Sequence, residues 1–159
     1  MQNSNFLKII FAAIAMVIAC YPQVLKSAED KRLYVLPINQ TAKFSNELIE
    51  ECHVPEFDDS NWSSMAMSEI AENTQYCLRL RVILKDEPRP ASTVLWTAML
   101  GTYEIYWDGK YLARTGMVAA NKAKETVGPM AKSMFLSPAQ LTPGEHLISL
   151  RVSTHHHTE

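Results

Sequence analysis

Tyr103-Glu104-Ile105-Tyr106-Trp107-Asp108-Gly109-Lys110-Tyr111-Leu112-Ala113-Arg114 is the stretch that decides the fold class. Two runs of aromatic and aliphatic residues flank an Asp-Gly pair. A type I′ turn needs positive φ at both central positions, which Asp tolerates and Gly adopts freely, and its twist matches that of the flanking strands. The reading is a tight hairpin turning at Asp108-Gly109.

The same pattern continues on both sides. From Tyr76 to Lys85, apolar Tyr76, Leu78, Leu80, Val82 and Leu84 alternate with a largely polar set, the period of a half-buried strand. Glu87-Pro88-Arg89-Pro90 ends that strand, because proline cannot donate to a ladder. Thr93 to Leu100 is a further apolar run, closed by Gly101 as a turn or bulge. Residues 116–131 read as a polar loop ending at Gly128-Pro129. Ser133 to Leu136 follows, then a turn from Pro138 to Gly144. The last strand, Glu145 to Ser153, places His146, Ile148, Leu150 and Val152 on one face.

Upstream, 32–38 is a short β-type run and 39–56 is mixed and polar, with Glu47 to Cys52 a helical turn or a loop. Asp58-Asp59-Ser60-Asn61, between Phe57 and Trp62, is a cluster of turn formers. No segment has sustained helical periodicity and no repeat occurs. About seven to nine short strands imply an all-β sandwich or barrel, whose sheets pack face to face.

The N-terminus has a different character. Met1 to Ala28 contains no acidic residue, and Ile9 to Cys20 is uninterruptedly apolar. That length suits the core of a signal segment and falls short of the roughly 20 residues that span a bilayer. Residues 1–28 are therefore expected to direct export, leaving a domain over 30–154 and a tail or linker over 155–159. Cleavage before Cys20, acylation of Cys20 at a lipobox-like Val17-Ile18-Ala19, cleavage after Ala28, and an uncleaved anchor all remain open.

The chain carries 15 basic and 17 acidic residues, and without Lys8 and Lys26 the remainder is 13 against 17, net −4. With no basic run, this argues against nucleic-acid binding. Cys52 and Cys77 remain in the exported part, and in an oxidising compartment they either pair or stay as two thiols.

Phe57-Asp58-Asp59-Ser60-Asn61-Trp62 resembles the FDDSxW element of galactose-binding-like jelly rolls, including the sugar-binding domains at the front of family-2 glycoside hydrolases. Tyr76-Cys77-Leu78-Arg79-Leu80-Arg81-Val82 is similar to the strand that follows it there, with Cys77 replacing an aromatic. Tyr103 to Lys110 resembles their Asn-Gly hairpin, with Asp108 in place of Asn. Leu141-Thr142-Pro143-Gly144-Glu145-His146 to Val152 resembles the closing strand, with His146 in place of Asn. The likeness covers about residues 55–153. It implies a galactose-binding-like jelly-roll β-sandwich behind a signal segment. It is also similar to N-terminal extracytoplasmic domains of bacterial membrane receptors of the histidine kinase or cyclase type.

No Gly-x-Ser-x-Gly, His-Glu-x-x-His or phosphate loop occurs. Asp58, Asp59, Glu50 and Glu51 are too close in sequence to flank a scissile glycosidic bond, and the two Asp read as turn formers. A structural calcium ion near them would suit oxygen ligands, but no cofactor is specified. His155-His156-His157 reads as a solvated terminus, since successive strand side chains point apart. Cys52 and neighbouring His53 face apart for the same reason. The chain is read as non-enzymatic.

Sugars dock apolar faces on aromatic rings and hydroxyls on polar groups. The ligand-binding candidates are Trp107, Tyr106, Tyr103, Arg79 and Arg114, with Arg81 also available. Trp62 is expected in the core, Trp107 at an exposed rim, and at most one of Tyr106 and Trp107 facing a ligand.

The leading expectation is an extracytoplasmic, membrane-associated sensory module whose partner is a small molecule, a carbohydrate among them, or an envelope protein. The membrane tie would be a lipid anchor or helices beyond the chain. The alternatives are the non-catalytic sugar-binding domain of a secreted family-2-like hydrolase and a free-standing lipoprotein.

Overall fold

A computed structural model describes residues 41–85 and 93–156. The export segment, Cys20, the 32–38 run and the proline-rich 87–90 segment lie outside those residues. Eight strands are present among the described residues: β1 (Thr41–Ser45), β2 (Ser63–Ala66), β3 (Gln75–Leu84), β4 (Thr93–Ala98), β5 (Thr102–Trp107), β6 (Lys110–Arg114), β7 (Ala131–Leu136) and β8 (Gly144–Ser153). Three short 3-10 turns accompany them, at Glu50–His53, Met67–Glu69 and Pro138–Gln140.

The strands form an antiparallel six-stranded sheet in the order β2-β1-β3-β8-β5-β6 and a two-stranded sheet of β4 and β7. At the centre, β3 and β8 pair over their whole lengths, from Gln75 opposite Ser153 to Leu84 opposite Gly144. Leu78, Ile105, Leu150 and Val152 of the large sheet share one core with Met134 and Leu136 of β7 and with Leu95 of β4. Tyr103 Oη and Thr97 Oγ1, 2.6 Å apart, tie the two sheets through that core. The fold is an all-β sandwich of jelly-roll type.

The hairpin turns where the Asp-Gly pair places it, with φ of 47° at Asp108 and 75° at Gly109. Asp108 does more than turn. Its Oδ1 accepts from the Leu147 N–H at 2.8 Å, and its Oδ2 lies 2.7 Å from His146 Nδ1. A Cβ on Gly109 would lie 2.9 Å from Pro55 Cδ, so glycine is required there for space as well as for φ. Register shifts between Ile105 and Tyr106, with Tyr106 opposite Tyr111 but Ile105 opposite Ala113. The extra residue, Leu112, is a bulge that bends the edge of the sheet.

Two strands carried no readable signal. β1 has Ala42 as its one buried residue, and β2 has Met65. Each is fixed by pairing, β1 lying between β2 and β3. The carboxyl-terminal end also departs from expectation. His155 is buried, and the N–H groups of His155 and His156 donate to Glu125 Oε2 and Oε1 at 3.1 and 3.2 Å. These residues are therefore docked on the domain, whereas the sequence placed them in a solvated tail. Burial pushes the Glu125 carboxyl up, but donors from Ser153, His155 and His156 outweigh it and hold the group below its ordinary value.

Candidate functional site

The residues that carry the family resemblance build a clamp. Segment 46–62 crosses the outer face of the large sheet, and Arg79 of β3 reaches up into it. Arg79 Nε donates to Asp59 Oδ2 at 2.7 Å, Nη1 to the carbonyls of Cys52 and Val54, and Nη2 to those of Pro55 and Phe57. The guanidinium also lies 5.7 Å from the Phe57 ring centre. Arg81 binds both Asp59 oxygens, at 2.9 and 3.1 Å. Two residues before Arg79 on the same strand, Cys77 is disulfide-bonded to Cys52. His53 stacks on Tyr106 with ring centres 4.6 Å apart.

This geometry reassigns several candidates. Arg79 is 1% exposed, and all its nitrogens face internal acceptors, so a ligand cannot reach it. Asp59 receives two guanidinium groups, the reverse of a calcium site, and Asp58 Oδ1 caps the Ser60 N–H at 2.9 Å in a local turn. Burial would raise the Asp59 carboxyl, but the hydrogen bonds from Arg81 and Arg79 hold it below its ordinary value. Cys52 is committed to the disulfide, which removes a Cys52–His53 nucleophilic pair. Among the described residues no group of His, Cys, Asp and Glu is placed to hold a metal ion.

The aromatic candidates divide in the same way. Trp107 is 3% exposed and packs on His146 at 5.1 Å, so it belongs to the core and not to the exposed rim expected of it. It sits on the inner face because the hairpin alternates and Tyr106 takes the outer one. Tyr103 is fully buried. Tyr106 is half-buried between His53 and Tyr111, with its hydroxyl donating to Glu104 Oε2 at 3.2 Å. Trp62 is half-buried against Phe57.

Arg114 alone of the five ligand-binding candidates lines an open groove. β6 ends the large sheet and β7 ends the small one, so each has an edge with no strand partner among the described residues. Between them lies a cleft of about 530 Å³ lined by Tyr111, Arg114, Lys132, Ser133 and Phe135 over a floor that includes Met134. Tyr111 and Phe135 are 54% and 79% exposed. The Arg114 and Lys132 side chains have no hydrogen-bond or ionic partner among the described residues. Tyr111, Lys132 and Phe135 escaped the sequence reading, because only the packing of two edge strands brings them to Arg114.

No known family profile matches the chain, and no curated protein sequence does. Solved structures do. A β-glucuronidase from Faecalibacterium prausnitzii superposes with a TM-score of 0.50 at 15% identity, over 76% of this chain and 22% of that one. A glycosyl hydrolase family 2 member from Bacteroides cellulosilyticus gives 0.52 at 14%, over 73% and 17%. The Ruminococcus gnavus β-glucuronidase gives 0.52 at 10%, over 77% and 23%. At such identities the likeness is one of fold. The chain corresponds to a fifth or so of each, the size of one domain in a larger enzyme.

Proposed function

We propose that this chain supplies the non-catalytic, carbohydrate-binding jelly roll of an exported protein built like a family-2 glycoside hydrolase, with the β6–β7 groove as its ligand face. The observation that carries this reading is the groove itself. It pairs two exposed rings with polar groups that have no partner among the described residues, on a fold shared with single domains of glycan-cleaving enzymes. The Cys52–Cys77 disulfide supports export, since such bonds persist in oxidising compartments. The input domain of an envelope receptor would use the same fold. The hydrolase-like architecture is preferred because the neighbours described above are hydrolases.

A glycan array probed with the wild type and with Tyr111→Ala tests this. One face-stacked ring is worth about 0.5–1.5 kcal/mol, so the variant is expected to bind about two- to tenfold more weakly. A protein that retains its fold and captures no glycan would overturn the proposal.

A further inference from the structure

The groove is cationic in a chain that is acidic overall. Its lining holds Arg114 and Lys132 and no carboxylate, while the whole chain has a formal charge of −2. The obvious partner for Arg114 is Glu104, directly opposite it across the β5–β6 ladder. That carboxylate is already taken: Glu104 Oε2 accepts from Arg151 Nη1 at 2.9 Å and from the Tyr106 hydroxyl. Other arginines are likewise committed, Arg79 and Arg81 to Asp59 and Arg151 to Glu104. Lys132, half-buried on β7, has no acceptor for its ammonium among the described residues, which leaves its charge open to an arriving anion. Charges on an edge strand ordinarily serve to repel other strands. That role does not require two cations to share a cleft with two exposed rings.

We infer that the β6–β7 groove selects anionic glycans, Arg114 and Lys132 receiving a uronate carboxylate or a sulfate ester while Tyr111 and Phe135 take the apolar face of the sugar. The inference rests on the carbohydrate-binding reading and narrows it. Guanidinium binds either oxyanion through paired N–H donors, and the lysine adds a point charge. The edges of β6 and β7, unpaired among the described residues, offer backbone donors and acceptors for hydroxyls.

Calorimetric titration of the disulfide-intact protein at physiological salt tests this, with an oligoglucuronate, a sulfated oligosaccharide, neutral cellotetraose and an oligoglutamate of similar charge. At least one acidic sugar is expected to bind ten or more times tighter than cellotetraose, and the better of the two identifies the source of the anion. The Arg114→Gln/Lys132→Gln double variant is expected to lose that preference with an unchanged melting curve. Should it fold poorly, Arg114→Gln alone, at an exposed position, is expected to lose at least half of the preference on a logarithmic scale. Equal or tighter binding of cellotetraose overturns the inference and leaves the carbohydrate reading standing. Capture of no glycan overturns both. Acidic-sugar binding that survives the substitutions places the site elsewhere, and equal binding of oligoglutamate reduces it to charge without sugar recognition; either overturns the inference.

Discussion

Two regions of this sandwich are built on opposite terms. Over β3, the outer face of the large sheet is covered by segment 46–62, cross-linked by a disulfide and clamped by a buried arginine that donates five hydrogen bonds to five acceptors. Beyond the strap, β6 and β7 have edges that are unpaired among the described residues, expose two rings and carry two cations with no acceptor among those residues. The strapped side holds the most conspicuous motif of the sequence, yet every polar atom of its arginine is used internally. The open side holds unremarkable residues whose polar groups are unspent. In this protein a motif marks where the chain must be held, and unsatisfied chemistry marks where something else can bind.

The contrast breaks most visibly at Arg79. Arg79→Met leaves Asp59 facing Arg81 alone and strips donors from four carbonyls, and loss of one partner from a buried pair costs about 3–5 kcal/mol. A thermal or urea melt is expected to show that loss, or failure to fold. If the change is below about 1 kcal/mol, the clamp does not hold the strap.

Removal of the cross-link comes next. Cys52 and Cys77 are 25 residues apart, and closing a loop of that order stabilises by about 3 kcal/mol in the chain-entropy account. Urea titrations with and without reductant are expected to differ by about that amount. The β6–β7 groove, which the disulfide does not touch, should keep its ligand wherever the reduced protein remains folded.

Acid should loosen the strapped side in a defined window. The Asp59 carboxyl is held below its ordinary 3.8 in the folded protein. Its contribution is therefore complete above the unfolded value and is lost as pH falls through the folded one. Stability measured from pH 6 down to pH 2 is expected to fall below about pH 4, with a shallower fall in Asp59→Asn once its lower starting stability is subtracted. An identical slope in both proteins would assign acid sensitivity to other carboxylates, Glu125 first among them.

The smallest effect on stability is expected on the open side. Phe135→Ser removes a ring that is 79% exposed, and surface substitutions of this kind stay within about 0.5 kcal/mol. Melting curves should barely move while glycan capture weakens. A large loss of stability would show that the ring is covered in the folded protein.

Much of the fold was legible because its signals are local. The Asp108-Gly109 turn follows from φ preferences alone, and the alternation through β3 and β8 follows from the two-residue period of a half-buried strand. Strands β1 and β2 were not legible, since each buries so little that only pairing defines it. Trp107 was misplaced for an equally physical reason. Alternation says that Tyr106 and Trp107 face apart, but not which of the two faces inward.

The sequence by itself determined an all-β chain, its tightest turn and the alternation of its two longest strands, because backbone conformational preference and side-chain period act over a few residues. Only the tertiary structure decided that Arg79 is a clamp, that Cys52 and Cys77 meet, and that Tyr111, Arg114, Lys132 and Phe135 share one groove. Those outcomes depend on which edges stay open and which carboxylate reaches which cation first. Such competition between distant groups is settled by packing.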